Sequence, residues 1–103
     1  MNKTSTHALD DTLELMRDLR ARCEWDAAQT HESLRPYLIE EAHELDEAIR
    51  LEDDKLVREE LGDVLLQVLF HSVMAEERGA FSFADVAEGL ITKIGRASCR
   101  ERV

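Results

Sequence analysis

The segment from about Asp54 to Arg78 constrains the fold of this chain more than any other part. It contains no Pro and one internal Gly, and its apolar residues recur at helical spacing on two sides. One side carries Val57, Leu61, Val64, Val68 and Ala75, and the other carries Leu66, Leu69, Phe70 and Val73. A helix that is apolar on two sides is buried on two sides. We therefore expect one side to pack within the chain and the other against a second copy, in a dimer or higher oligomer.

The N-terminal half of the chain predicts two further helices. The first runs from about Ala8 to Cys23, with an apolar stripe of Leu9, Leu13, Met16, Leu19 and Cys23. The stretch "EWDAAQTHES" that follows is expected to form a loop with at most one short turn of helix. The second helix is expected to begin near Ser33, its cap, with Pro36 in the first turn. Its predicted core stripe is Leu38, Ala42, Leu45 and Ile49.

Turn and cap signals divide the C-terminal part of the chain. Gly79 is expected to end the long helix as its C′ residue. Ser82 and Asp85 have the spacing of a capping pair, which predicts a fourth helix carrying Val86 and Leu90. The second helix is expected to end before "EDD" (residues 52–54), and the short turn there makes the two central helices antiparallel neighbours.

Composition agrees with one small all-α domain. The chain has 103 residues, of which 44% are hydrophobic, and it contains one Pro and four Gly. A net charge of −10 argues against a basic surface for nucleic acid. Cys23 and Cys99 lack metal-type spacing. Because no segment reads as a signal peptide or a membrane span, a cytoplasmic protein without a membrane partner is the expectation.

The segment "IGRASCRERV", residues 94–103, differs from the rest of the chain. It is basic where the preceding chain is acidic, and its apolar residues fit no amphipathic helix. It also corresponds, codon by codon, to the in-frame translation of a common sequencing-library adapter. We therefore expect a domain at 1–93 and an artefactual tail at 94–103, and we leave the tail out of the fold argument.

Carboxylates flank the apolar faces of the two central helices. At roughly 100° per residue, Glu60 and Asp63 fall on one narrow strip with Gln67 and His71, between the two apolar sides. Glu41 and Glu44 lie beside the core stripe of the preceding helix by the same arithmetic. A buried carboxylate costs several kcal/mol unless it is paired. Since the helices are neighbours, we expect the four carboxylates to converge, with Gly62 permitting a close approach.

Four converging carboxylates repel one another unless a cation lies between them. An all-oxygen ligand set suits Mg²⁺, with Mn²⁺ as a second possibility. Two other readings remain open. Glu40 and His43 form one Glu-x-x-His pair of a di-iron bundle, but no second pair exists. Alternatively, the acids are solvated, and the chain is a non-catalytic oligomerisation or regulatory module.

At this point the motifs resemble those of MazG-type nucleoside triphosphate pyrophosphohydrolases, over roughly Leu9 to Lys93. The shared elements are Cys-x-Trp-Asp, Gln-Thr-His, Glu-Glu-x-x-Glu, Glu-Leu-Gly-Asp and Gly-x-Phe, in the family's order and spacing. The resemblance implies a four-helix, all-α MazG-like domain that assembles at least as a dimer. It also implies Mg²⁺-dependent hydrolysis of nucleoside triphosphates to monophosphate and pyrophosphate. The metal ligands carry over onto Glu41, Glu44, Glu60 and Asp63.

The same resemblance suggests roles for other residues. Glu40 and Glu44 are the candidates to accept a proton from the attacking water. Trp25 is the candidate to stack on the base, with Gln29 and Thr30 for polar contacts, although a lone Trp also serves as a core or loop anchor. Lys93 is the last candidate for substrate binding, because residues 94–103 replace the family's basic segment.

Two further observations bear on the resemblance. Glu24 stands where the family usually has Pro. We also expect His31 and His43 to be exposed and His71 to be a hydrogen-bonded structural residue.

Overall fold

The computed structural model describes residues 7–96, which form five α-helices and no strand. They are α1 (Ala8–Arg22), α2 (Glu24–Ala28), α3 (His31–Arg50), α4 (Asp54–Glu77) and α5 (Phe83–Arg96). The all-α prediction is confirmed. Four helices match the predicted ones, and α2 is the short turn of helix expected between the first two.

The helices α3 and α4 form an antiparallel hairpin. The carboxylates of Glu41 and Glu44 lie near those of Glu60 and Asp63 at its centre, and His31 contacts His71 at its far end. Between the helices, Glu52 adopts a left-handed backbone with φ of 55°. Asp53 then caps α4, because its side chain accepts a hydrogen bond from the Leu56 N–H at 3.2 Å.

The start of α3 differs from the prediction. Thr30, not Ser33, is the N-cap, and its Oγ1 accepts a hydrogen bond from the Ser33 N–H at 3.0 Å. Ser33 returns the bond, since its Oγ accepts from the Thr30 N–H at 2.9 Å. This reciprocal capping box places Ser33 inside the first turn. Thr30 has an extended backbone, so the helix begins before the position that the sequence pattern indicated.

The predicted core stripe of α3 was wrong. Leu38 and Ile49 are 40% and 56% exposed, whereas Leu34 and Ala48 are buried. Leu34, Glu41 and Ala48 are spaced seven residues apart and form the line that α3 turns toward α4. Within residues 7–96, α4 is the one helix that packs extensively on α3, so burial of α3 centres on this narrow line.

The core lies between α1, the first turn of α3 and the C-terminal half of α4. Its buried residues are Leu13, Met16, Leu34, Leu69, Phe70, Val73 and Met74, with Phe83 packed against them. The buried side of α4 is therefore confined to its C-terminal half. Leu61 and Leu65 in its N-terminal half, and Leu66 and Val68 just past its middle, are exposed in the single chain.

Arginines from α1 bind the end of α4. Arg17 donates to both carboxylate oxygens of Glu76 at 3.0 and 3.1 Å, and Arg20 donates to both oxygens of Glu77 at 2.9 and 2.6 Å. Arg20 also donates to the backbone carbonyls of Asp26 and Gln29. One side chain thus joins α1, the α2 region and α4.

The connection to α5 follows the predicted signals. Gly79 has φ of 72°, the left-handed conformation of a C′ glycine. Ser82 and Asp85 exchange capping hydrogen bonds at the start of α5. The helix continues through 94–96, three residues into the segment that was set aside, and Cys99 lies outside the described residues. No helix within residues 7–96 is long and apolar enough to cross a membrane.

Candidate metal centre

Four carboxylates meet at the middle of the α3–α4 hairpin. Glu41 and Glu44 come from α3, and Glu60 and Asp63 come from α4. One carboxylate oxygen from each residue can be chosen so that all four lie within 4.8 Å of one another. The i, i+3 spacing places each pair on one side of its helix, and the antiparallel packing makes the two sides face each other.

The cluster lies apart from the salt bridges of the described part of the chain. Among residues 7–96, no salt bridge involves any of these four side chains. Oε1 of Glu41 and Oε1 of Glu60 are buried without a hydrogen-bond partner. Burial, followed by the charges of Glu44 and Asp63, raises the pKa of Glu41, and the same causes raise the pKa of Glu60. Both shifts reflect the unfavourable interaction of a partly buried carboxylate with its negatively charged neighbours.

The donor atoms fit a hard divalent cation. Carboxylate oxygens from two helices supply an all-oxygen set, which Mg²⁺ and Mn²⁺ prefer over sulfur or imidazole ligands. The two orphaned oxygens, on Glu41 and Glu60, are the atoms that such an ion would satisfy. Glu40 is not a member of the converging set, and its charge is the smallest of the causes that raise the pKa of Glu41.

Comparison with known proteins identifies the family. The model of the MazG nucleotide pyrophosphohydrolase domain matches residues 29–98, which include all four carboxylates. The chain belongs to the MazG family.

Relatives in this family are similar in sequence over most of the length of the chain. A nucleoside triphosphate pyrophosphohydrolase/pyrophosphatase MazG of Thermotoga maritima is 54% identical over 84% of the chain and 35% of its own length. Nucleoside triphosphate pyrophosphohydrolases of Mycolicibacterium smegmatis and Escherichia coli K12 are 51% and 40% identical, over 84% and 82% of the chain. Those matches cover 28% and 32% of the two relatives. The chain thus spans about a third of the length of these MazG proteins.

The predicted base-binding residues of this MazG domain lie at the corner between α2 and α3. Trp25 is more than half exposed and meets the Tyr37 ring edge to face, with centroids 6.2 Å apart. The Gln29 side chain donates to the Trp25 carbonyl at 2.9 Å and accepts from the Ser33 hydroxyl at 2.8 Å. Thr30 caps α3, so the side chains of both Gln29 and Thr30 make hydrogen bonds that hold the corner.

The structure does not bring these candidates into the carboxylate cluster. Gln29 and Thr30 border a separate cavity of about 260 Å³, whose other lining residues are Arg20, His31, Met74, Glu77 and Arg78. Lys93 is exposed in the last turns of α5. The four metal-ligand candidates are therefore assembled within one chain, whereas Trp25, Gln29, Thr30 and Lys93 are not part of the same cluster.

Sequence reasoning missed a histidine pair. His31 was expected to be exposed, but it is half-buried, and its Nδ1 lies 2.7 Å from Nδ1 of His71. The two rings stack with centroids 5.0 Å apart. The contact could have been predicted from the sequence. The antiparallel register that places Glu41 opposite Asp63 also places His31 opposite His71. The predictions for the other histidines are confirmed, since His43 is exposed and His71 is hydrogen-bonded.

Proposed function

We propose that this chain hydrolyses nucleoside triphosphates to nucleoside monophosphates and pyrophosphate in a Mg²⁺-dependent reaction. The observation that carries the proposal is the convergence of four carboxylates that form no salt bridge within residues 7–96: Glu41, Glu44, Glu60 and Asp63. Membership of the MazG family, whose relatives carry the name nucleoside triphosphate pyrophosphohydrolase, supports the reaction class.

In this proposal the four carboxylates hold a divalent cation, Mg²⁺ or Mn²⁺, between α3 and α4. When bound, the ion supplies neutralisation of triphosphate oxygens and polarisation of a water molecule. The domain as a whole is strongly acidic, so the carboxylates also need that ion before an anionic substrate can approach them.

Proton transfer is assigned to a carboxylate at the edge of the cluster. Hydrolysis breaks one phosphoanhydride bond between the α- and β-phosphates, and water supplies a hydroxyl to one side and a proton to the other. Glu44 and Glu40 are exposed, so either side chain can accept the proton and return it to solvent. Trp25, Gln29, Thr30 and Lys93 remain the proposed substrate contacts outside the cluster.

The exposed apolar surface supports the proposed assembly into a dimer or tetramer. Leu61, Leu65 and Val68 follow one line along α4 and are left exposed by residues 7–96, and Leu66 is exposed on another side of the same helix. Surfaces of this kind mark protein interfaces in many soluble proteins. Sedimentation of the purified chain measures the oligomeric state directly.

The test of the reaction measures monophosphate and pyrophosphate from ATP, GTP, CTP and UTP, with Mg²⁺ and with a chelator. We expect pyrophosphate release only with the metal and its loss in Asp63→Asn. The matched control is Glu76→Gln, which also removes one carboxylate charge from α4 but leaves the cluster intact. Equal loss in both variants, or release that persists in chelator, contradicts the proposal.

A further inference from the structure

Three basic side chains form one line of contacts at the far end of the α3–α4 hairpin. Arg78 Nη2 lies 3.1 Å from His31 Nε2, and His31 Nδ1 lies 2.7 Å from His71 Nδ1. The planes of the two imidazole rings are within 12° of each other. Because His31 is the first residue of α3 and His71 lies in the C-terminal half of α4, the ring pair joins the start of one helix to the other.

The guanidinium of Arg78 determines where the imidazole protons lie. A guanidinium can only donate, so His31 Nε2 is the acceptor and the proton of His31 is on Nδ1. That N–H donates to Nδ1 of His71, whose own proton is then on Nε2. Both hydrogen bonds therefore run in one direction, and both rings are neutral.

A further proton finds no free ring nitrogen in this line. His31 Nε2 already accepts from Arg78, and His71 Nδ1 already accepts from His31. A proton on either atom turns an acceptor into a donor and breaks the hydrogen bond at that atom. Transfer of the Nδ1 proton from His31 to His71 does not avoid the loss, because His31 then carries its proton on Nε2, against the guanidinium. The line is intact only while both rings are neutral.

The charges that face His31 also oppose another proton. The cavity of about 260 Å³ beside this ring has three charged side chains in its lining: Arg20, Arg78 and Glu77. Arg20 donates to both oxygens of Glu77, so that carboxylate is already paired. Along α3, the neighbouring charges belong to an exposed ion pair of Glu32 with Arg35. Within residues 7–96 Arg78 forms no salt bridge, so the net charge that faces the ring is positive.

The surroundings of His71 favour a neutral ring. Another cavity, of about 270 Å³, lies beside it and is lined by residues of α3, α4, α5 and the α4–α5 connection that do not titrate: Leu38, Gln67, Val68, Ser72, Phe81 and Val86. Nε2 of His71 is itself buried. Burial, followed by the charge of His31, lowers the pKa of His71.

We propose that the His31–His71 contact is a pH-sensitive switch, which holds the first turn of α3 on α4 while both rings are neutral and releases it when they take up protons. Release reaches the corner between α2 and α3, because Ser33 in this turn bonds to both Thr30 and Gln29. The lowered pKa of His71 sets the direction: the contribution to stability is complete above the unfolded value of 6.5 and is lost as pH falls through the folded value.

Hydrogen exchange of the whole chain, without nucleotide or metal, measures release of the first turn. The Leu34 amide donates to the Thr30 carbonyl in the first helical bond of α3, and the Ala48 amide reports on the other end of the same helix. The double variant His31→Phe with His71→Phe keeps two rings and removes every titratable nitrogen of the pair. The control is His43→Gln, at an exposed position of α3.

We compare about pH 7.5 with about pH 5, the range in which histidine titrates. The protection factor of the Leu34 amide should fall about tenfold, the effect of one lost hydrogen bond, and that of Ala48 should stay within about twofold. The double variant should lose this pH dependence, and His43→Gln should keep it. In the unmutated chain at the higher pH, NMR of the ring nitrogens should find the proton of His31 on Nδ1 and that of His71 on Nε2.

Three results overturn the proposal. A Leu34 protection factor that does not change with pH means that the first turn is not released. A fall that persists in the double variant assigns the pH dependence to another group, such as Glu41 or Glu60. A proton on Nε2 of His31 at the higher pH means that Arg78 does not order the line. The first and third results need no variant to fold, and because nucleotide and metal are absent, none of the three depends on the proposed function.

Discussion

The carboxylates of α4 lie in two regions with opposite electrostatic surroundings. At the C-terminal end, Glu76 and Glu77 each accept two hydrogen bonds from an arginine of α1, and the Arg20 guanidinium lowers the pKa of Glu77. At the centre of the helix, Glu60 and Asp63 face further carboxylates, and burial and like charge raise the pKa of Glu60. Acidic side chains of one helix therefore accept hydrogen bonds from arginines at its C-terminal end. At its centre they form no salt bridge with any described residue.

The arginine-paired end of α4 and its central carboxylate cluster therefore have different roles. The arginine-paired end is complete in the chain itself and holds α1 and the α2 region onto the core. In the proposed function, a cation neutralises the central cluster and relieves the repulsion among its carboxylates. Functional sites are where such local costs are found in stable proteins.

The largest expected effect separates the two proton-acceptor candidates. Glu40→Gln should lower kcat by about a hundredfold or more if Glu40 is the base, because general-base catalysis contributes about 10²–10⁴-fold. It should leave the Mg²⁺ concentration for half-maximal activity unchanged, since Glu40 lies outside the converging set. Glu44→Gln should change both quantities.

Steady-state rates as a function of Mg²⁺ concentration check this prediction, with His43→Gln on the same helix as control. If neither variant loses rate at saturating Mg²⁺, the proton-acceptor role of these two residues is wrong.

The arginine-paired end should dominate stability. Arg20 has a side chain only 12% exposed, and it binds Glu77 and two backbone carbonyls. Arg20→Met leaves these acceptors unpaired, and we expect the free energy of unfolding to fall by about 2–3 kcal/mol. Arg22→Met removes an exposed pair with Asp18 on the same helix, for which about 0.5 kcal/mol or less is expected.

Urea denaturation of both variants measures this contrast. Similar losses for Arg20→Met and Arg22→Met would show that Arg20 is no more than a surface ion pair.

The two regions should respond to pH with opposite sign. The raised pKa values of Glu41 and Glu60 mean that their contribution to stability is present below the unfolded value of 4.5 and is lost as pH rises through the folded values. The lowered pKa of Glu77 gives the reverse: its contribution is present above 4.5 and is lost as pH falls through the folded value.

A double variant, Glu41→Gln with Glu60→Gln, isolates the central cluster because glutamine resembles a protonated glutamate. Without metal, its melting temperature should equal that of the parent below pH 4.5 and exceed it at pH 7. Adding Mg²⁺ at pH 7 should reverse the order, since only the parent binds the ion. A parent that is more stable than the double variant at pH 7 without metal contradicts the repulsion argument.

The sequence predicted best what depends on regular spacing. The four longer helices, the antiparallel hairpin and the convergence of Glu41 and Glu44 on α4 all follow from a period of 3.6 residues. The failures concern what a helix packs against. Leu38 and Ile49 are as apolar as Leu34, yet they are exposed and Leu34 is buried. The spacing of apolar residues does not show which of them α4 covers.

Long-range polar contacts were also beyond the sequence. The bond from Arg20 to Glu77 joins α1 to the end of α4, and many equivalent pairings are possible before the packing is known. The cap at Thr30 shows a smaller case. Thr30 and Ser33 are both good N-caps, and only the extended backbone at Thr30 decides between them.

Gly62 gives the smallest expected effect and the sharpest test of the exposed side of α4. The glycine was expected to permit close approach of another helix, but a Cβ at this position would meet nothing within 4 Å in the chain. Gly62→Ala should therefore raise the free energy of unfolding by about 0.5–1 kcal/mol, the helix-propensity difference between the two residues. Urea denaturation at low protein concentration, where the chain is monomeric, measures this gain. At high concentration the outcome distinguishes two assemblies. If the increase in the free energy of unfolding is unchanged, Gly62 lies outside any interface. If the variant loses stability and associates more weakly, a second copy packs directly against the helix between Glu60 and Asp63.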